Sequence, residues 1–126
     1  MSHLSIKSTV RKYPRHSYEQ MKAKILGESY DLSLVFVGET RARSLNMRYR
    51  HKNYVPNVLS FPLTKTAGEM FICPAVAKRE AKKFHLSERG YVAFLFIHGA
   101  LHLKGHDHSD TMEKLERKFL RTFQIS

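Results

Sequence analysis

Half of the chain's eight histidines fall within eleven residues, from His98 to His108. The preceding segment, 91–97, is apolar and contains no helix-breaking residue, which predicts a helix that enters the core. The imidazoles of His98 and His102 are four residues apart, so they lie on one face of that helix, one turn apart. This spacing suits two ligands of one tetrahedral zinc ion, which requires Zn–N contacts of about 2.0–2.1 Å.

A third histidine can reach the same ion because a glycine follows the helix. Gly105 is free to adopt a left-handed backbone conformation, which ends a helix and allows the chain to bring His108 back. Three protein ligands with one open coordination position are typical of catalytic rather than structural zinc. The sequence therefore predicts a metal-dependent hydrolase with one Zn²⁺ per chain, held by His98, His102 and His108.

Two other residues of this segment have less definite roles. Asp107 is either a partner that orients a ligand imidazole or a turn residue. His106 lies in an extended turn and is expected to be exposed rather than to bind the metal. No residue of the segment is an evident general base.

The charge balance predicts a polyanionic partner. The chain has 22 Lys and Arg against 11 Asp and Glu, which gives a net charge of +11. Such a surplus favours nucleic acid, through phosphate contacts and counterion release. A membrane surface is disfavoured, because no predicted helix pairs a basic face with exposed Trp or Phe anchors. A basic protein without any such partner is the alternative.

Length and cysteine content limit the architecture. The 126 residues are enough for one domain with a core that needs no disulfide, and we expect this domain to span residues 1–126. Cys73 is the single cysteine, so neither an internal disulfide, a disulfide-linked partner nor a thiolate zinc site is expected. The first residues lack the apolar region of a secretory signal, and the longest apolar stretch, 91–103, is too short to span a bilayer. We expect a soluble, cytoplasmic protein.

Hydrophobic periodicity predicts the elements that must position the histidines. Strands are expected at 4–10, 32–37, 58–61 and 69–73; helices are expected at 17–26, 39–49 and 74–84, from Ser87 through the histidines, and from a cap at Ser109 or Asp110 to about Phe123. Pro62 is expected to stop the third strand, which pairs antiparallel with the fourth across a 64–68 loop. The order βαβαββααα predicts an α+β domain with a mixed sheet of about four strands, about five helices, and the metal site on a buried helix.

The ligand spacing H-x3-H-x2-G-x2-H matches that of metzincin metalloproteases, with one departure. Those enzymes carry glutamate directly after the first histidine as the general base. Here that position is Gly99, which has no side chain. A metzincin-like metalloprotease would lack its proton acceptor, so it is the less favoured alternative.

Three segments together resemble one known family. The run His98-Gly-x-Leu-His-Leu-x-Gly-x-Asp-His108 resembles the signature of the YbeY family of bacterial single-strand-specific endoribonucleases and rRNA maturation factors. Two further segments resemble other parts of that family: Leu45 to Lys52 followed by Asn57-Val-Leu-Ser-Phe-Pro62, and Gly68 to Cys73. The resemblance extends from about Glu39 to the end of the chain.

This resemblance implies zinc bound by His98, His102 and His108, and an essential catalytic arginine at Arg50. It also implies action on single-stranded RNA, with rRNA and the small ribosomal subunit as partners, in small-subunit rRNA 3′ maturation and ribosome quality control. A fork-shaped guanidinium suits bidentate binding of a scissile phosphate. Without the resemblance, Arg50 would be read as a surface arginine at a helix end, where a cation is favoured.

The sequence departs from the family pattern at a few positions. His106 stands where Tyr is common, Glu69 where Asp is common, and Val55-Pro56 where Pro-Thr is common. None of these changes removes a metal ligand. The remaining alternative is a non-enzymatic ribosome-associated factor with a structural zinc, which a fourth protein ligand on the ion would favour.

Overall fold

The computed structural model describes residues 3–125, so Met1, Ser2 and Ser126 of the expected domain lie outside the described residues. Four strands and five α-helices follow one another in the predicted order and form a single compact α+β domain. The elements are β1 Leu4–Ser8, α1 Tyr18–Leu26, β2 Asp31–Phe36, α2 Glu39–Arg50, β3 Val58–Thr64, β4 Ala67–Ile72, α3 Pro74–Ala81 with a 3-10 turn at Lys82–Phe84, α4 Glu88–Leu103 and α5 Asp110–Thr122.

The four strands form one mixed sheet in the order β1-β2-β4-β3. β2 is parallel to both β1 and β4, whereas β3 and β4 pair antiparallel as a hairpin. The predicted mixed sheet is therefore confirmed. β3 is an outer strand, so its free edge is available to form one side of a cleft.

The central strands alternate between two faces, as expected for strands covered on both sides. One face of β2 and β4 belongs to the main core with α1, α3, α4 and α5, through the buried residues Leu32, Leu34, Phe36, Met70 and Ile72. On the other face, Val35 and Phe71 pack against a smaller cluster that includes Ala42 of α2. The sheet thus separates α2 from the helix that carries the histidines.

The helix α4 is the most buried helix of the domain. Its N-terminus is capped as predicted, because the Ser87 hydroxyl accepts a hydrogen bond of 2.9 Å from the Gly90 amide. Ten of its residues are buried, among them Val92, Phe96 and Ile97 with no exposed surface. None of the helices in residues 3–125 has the length and apolar character needed to cross a membrane.

Several boundaries differ from the prediction. Pro62 lies within β3 rather than ending it, because an outer strand tolerates a residue without an amide hydrogen, and the register shifts just after it. The hairpin turn is consequently only Lys65 and Thr66. β1 ends at Ser8 and is mostly exposed, since it forms the other edge of the sheet. Ser17 precedes α1 but makes no side-chain cap hydrogen bond, as its backbone is not extended.

Candidate functional site

The three predicted ligands converge at the C-terminal end of α4. His98 and His102 lie on its last two turns, and Gly105, with φ of +105°, turns the chain so that His108 returns to them. One ligand-capable atom from each histidine lies within 4.8 Å of the others. The ring of His108 lies 4.9 Å from that of His98 and 5.2 Å from that of His102, measured between centroids.

Hydrogen bonds decide which nitrogen of each helical ring faces the site. His98 Nδ1 donates to Glu116 Oε2 at 2.6 Å, and His102 Nδ1 donates to the His106 carbonyl oxygen at 2.9 Å. In the neutral rings these bonds leave both Nε2 atoms unprotonated. The two Nε2 atoms face each other at 3.1 Å.

This arrangement fits a metal ion. Two facing lone pairs repel each other unless a cation lies between them, and ligands on a tetrahedral zinc ion stand about 3.3 Å apart, given Zn–N contacts of about 2.05 Å. The observed separation of 3.1 Å is close to that value. Burial lowers the pKa of His102, and the neighbouring His98 lowers it further, which favours the neutral, metal-binding form.

Glu116 was missed by the sequence reasoning. It comes from α5, and its carboxylate is buried against α4, with 8% of the residue exposed. A carboxylate on the far nitrogen of a ligand histidine fixes the tautomer and the ring orientation. A signal was present: Glu116 stands four residues after the buried Met112, on the apolar face of an amphipathic helix.

The turn residues have different roles from the histidine trio. His106 contributes its backbone carbonyl rather than its ring, and its side chain is half-buried instead of exposed as expected. Asp107 is exposed, and the orienting carboxylate of the site is Glu116 instead. Ser109, one of the two predicted caps, starts α5 by accepting a hydrogen bond from the Met112 amide at 3.2 Å.

Arg50 faces the histidines across a cleft of about 450 Å³. It is the last residue of α2, where the left-handed residue His51 caps the helix. Within residues 3–125, Arg50 forms no ion pair with a carboxylate, so its guanidinium is free for an anion. The cleft is lined by Arg50, Tyr54, Asn57, Val58, Leu59, Ser60, His98, His102 and His108.

A hydrogen-bond network fixes the wall of the cleft between Arg50 and the histidines. Asn57 Oδ1 accepts from the Val58 amide at 2.7 Å, and its Nδ2 donates to Glu80 Oε1 at 2.8 Å. The Tyr91 hydroxyl donates to the same carboxylate oxygen at 3.0 Å, and burial, together with this bond, raises the pKa of Tyr91 to about 12. β3 is thereby tied to α3 and α4 where it enters the cleft.

Gly99 lies where α4 packs tightly against the sheet. A Cβ atom at this position would lie 2.8 Å from Ser60 Oγ and 3.0 Å from the Met70 terminal methyl. Ser60 Oγ also donates a hydrogen bond of 3.0 Å to the Gly99 carbonyl oxygen. The position that holds the general base in metzincins is therefore occupied by the sheet, and no larger side chain fits without displacement.

Comparison with known proteins gives consistent matches over most of the chain. The model of a family described as Endoribonuclease YbeY matches residues 2–124. A protein of Spiroplasma citri named Endoribonuclease YbeY is 36% identical, over 79% of this chain and 74% of its own length. A protein of the same name from Pseudomonas putida (strain ATCC 700007) is 41% identical, over 71% of this chain and 66% of its own length.

A solved structure shares the fold. The solution structure of TM1509 from Thermotoga maritima has a TM-score of 0.66 with this chain and 22% sequence identity. The match covers 94% of this chain and 87% of that one. The α+β architecture described above is therefore one that a solved protein also adopts.

Proposed function

This chain belongs to the YbeY family of endoribonucleases, and from this premise we propose that it cuts single-stranded RNA by metal-dependent hydrolysis in the cleft between its three histidines and Arg50. The observation that supports this proposal is one arrangement of side chains. Two imidazoles, each with its Nδ1 engaged by the protein, aim Nε2 at a common point beside His108. An unpaired guanidinium lines the same cleft.

The proposed ion is a single Zn²⁺ on His98, His102 and His108. The group of candidate ligands within residues 3–125 consists of these three imidazoles and includes no thiolate or carboxylate, a donor set that suits zinc and leaves a position open. When bound, such an ion supplies Lewis acidity, which makes water acidic enough to attack near neutral pH and polarises a phosphoryl oxygen.

The side chains of the cleft perform the remaining work. Arg50, always charged and planar, holds the scissile phosphate with two parallel hydrogen bonds and stabilises the negative charge that grows in the transition state. Glu116 keeps the His98 ring in its tautomer and orientation. Asn57 and Ser60 are fixed by their own hydrogen bonds and keep the wall between Arg50 and the histidines in place.

Ribosomal RNA of the small subunit is the proposed substrate. Family membership and the resemblance of the 45–62 and 98–108 segments support a role in 3′ maturation of this RNA and in ribosome quality control, in the cytoplasm. The net charge of +11 supports a polyanionic partner. Three further basic residues are exposed on or just after α2, the helix that ends at Arg50: Arg41, Arg48 and Lys52. None of the three lines the cleft, whereas Arg50 does.

The two alternatives are weaker. A metalloprotease of the metzincin type would need a base where Gly99 packs against Ser60. A non-enzymatic factor with structural zinc would need a fourth protein ligand, and the candidate group in residues 3–125 has three.

Replacing Arg50 separates catalysis from simple binding. Arg50→Lys keeps the positive charge but loses the bidentate fork, so we expect cleavage under single-turnover conditions to fall by about 10²–10³-fold while RNA affinity changes little. Arg48→Lys is the matched control, because Arg48 is exposed on the same helix outside the cleft. An equal loss of affinity and rate would make Arg50 a phosphate anchor, and unchanged cleavage in Arg50→Ala would remove it from the mechanism.

A further inference from the structure

One aromatic side chain of the cleft has no role in the proposed chemistry. Tyr54 lines the cleft together with Arg50 and the three histidines, and 49% of it is exposed. Tyr49, by contrast, is 56% exposed but packs with its ring 5.4 Å from that of Phe61, outside the cleft. No aromatic ring among residues 3–125 packs against Tyr54, and half of the residue is exposed, so its ring is accessible to a ligand.

The backbone of Tyr54 is anchored even though its ring is exposed. Asn46 has no exposed surface and donates a hydrogen bond of 3.1 Å from Nδ2 to the Tyr54 carbonyl oxygen. On the other side, Pro56 is buried and the Asn57 side chain is held by Glu80 and by the Val58 amide. The backbone that carries the ring is therefore held in place, which lowers the entropic cost of binding to Tyr54.

An exposed aromatic ring in the same cleft as a free guanidinium matches the two repeating parts of a nucleic-acid strand, the base and the phosphate. The guanidinium binds a phosphate, and the aromatic ring stacks with a base, an interaction that every base can make. A base inside a duplex is already stacked on both faces and is not free to do so. The pairing of these two groups in one cleft therefore selects for unpaired nucleotides.

We propose that Tyr54 is the base-stacking residue of the cleft, on which the nucleobase next to the phosphate bound by Arg50 lies. This inference rests on the proposed RNA-cleaving function and names how that site recognises an unpaired strand. It assigns Tyr54 to specificity rather than to the reaction itself. Recognition by stacking also implies little preference among the four bases.

The absence of tryptophan from the chain permits a direct test. Tyr54→Trp places a single indole in the cleft. Tyr49→Trp places one only five positions earlier in the sequence but outside the cleft. Each variant is titrated with a 2′-O-methyl oligouridylate, which resists cleavage and whose bases stack poorly on one another. We expect saturable fluorescence quenching of the indole at 54, with the midpoint that anisotropy of labelled RNA gives, and none at 49.

Removal of the Tyr54 ring should lower the affinity only for ligands that carry nucleobases. Tyr54→Ala should weaken oligouridylate binding roughly 5- to 150-fold, whereas Tyr54→Phe should retain it. Polyphosphate, a polyanion without bases, should bind the unaltered chain, Tyr54→Ala and Tyr54→Phe equally. It should also leave the indole of Tyr54→Trp unquenched. If Tyr54→Ala does not fold, the fluorescence comparison of the two tryptophan variants still decides the question.

Stacking is overturned if RNA binds while the indole at 54 is not quenched, if both indoles are quenched alike, or if Tyr54→Ala loses polyphosphate and RNA equally. Cleavage of single-stranded RNA by the unaltered chain is measured in parallel. If the unaltered chain cleaves RNA but the indole of Tyr54→Trp is not quenched, only the proposed role of Tyr54 is contradicted. If the unaltered chain does not cleave RNA, the proposed function itself is contradicted.

Discussion

At the scale of single residues, the hydrogen bonds behind the histidines matter as much as their spacing. The sequence predicted which three imidazoles meet, because i and i+4 on a helix share a face and Gly105 permits the turn. It did not predict Glu116, since that contact depends on how α5 packs against α4. A partner supplied by another element cannot be read from spacing within one segment.

Glu116→Gln tests this contact. The neutral amide is a weaker acceptor for the His98 Nδ1 proton, so we expect affinity for Zn²⁺ to fall by about 10- to 100-fold while the fold is kept. Competition with a chelating indicator measures this affinity without reference to activity. Glu113→Gln on the exposed face of the same helix is the control. Equal affinities in both variants would show that Glu116 does not position the ligand.

At the scale of elements, the order and type of every strand and helix were predictable, whereas the ends of the two outer strands were not. The helix α4 was predicted from its apolar run, and its burial and the Ser87 cap are confirmed. β1 and β3 were harder because they are outer strands, where a proline is tolerated and a half-buried pattern is weakened by exposure. From the sequence, Gly99 indicated only that the general-base glutamate of metzincins is absent. The structure shows in addition that Gly99 permits a close contact between the helix and the sheet.

Gly99→Ala tests that contact. The added methyl must displace Ser60 Oγ, which lies 2.8 Å from its position and hydrogen-bonds the same residue, so we expect a loss of about 1–3 kcal/mol in the free energy of unfolding. Urea unfolding measures it. In the double variant Ser60→Ala/Gly99→Ala the obstructing oxygen is gone. The loss in the free energy of unfolding of this double variant should therefore be smaller than the sum of the losses in the two single variants. Strict additivity, or no loss in Gly99→Ala, would mean that α4 and β3 are not in tight contact.

At the scale of the whole molecule, composition alone gives the net charge, and in the proposed function this charge governs encounter with RNA. The net charge of +11 favours a polyanion, while the architecture decides that Arg50 lies in the cleft and Arg48 outside it. Sequence position cannot make this distinction, because both residues belong to the last turn of α2.

RNA affinity should therefore fall steeply with salt. Each phosphate contact releases counterions, so the logarithm of the association constant should decrease linearly with the logarithm of salt concentration. Lys52→Ala should reduce the magnitude of this slope by about one and weaken all sequences alike. Affinity for single-stranded RNA that stays constant between low and moderate salt would contradict a basic binding surface.

The most direct test compares two histidines that stand four residues apart on either side of Gly105. We expect the purified chain to hold about one equivalent of Zn²⁺, and His102→Ala to lose both this metal and the cleavage of single-stranded RNA. His106→Ala should keep both, because His106 lies outside the trio and serves it through a backbone carbonyl that alanine also has. Cleavage that persists in a metal-free His102→Ala protein would contradict the account.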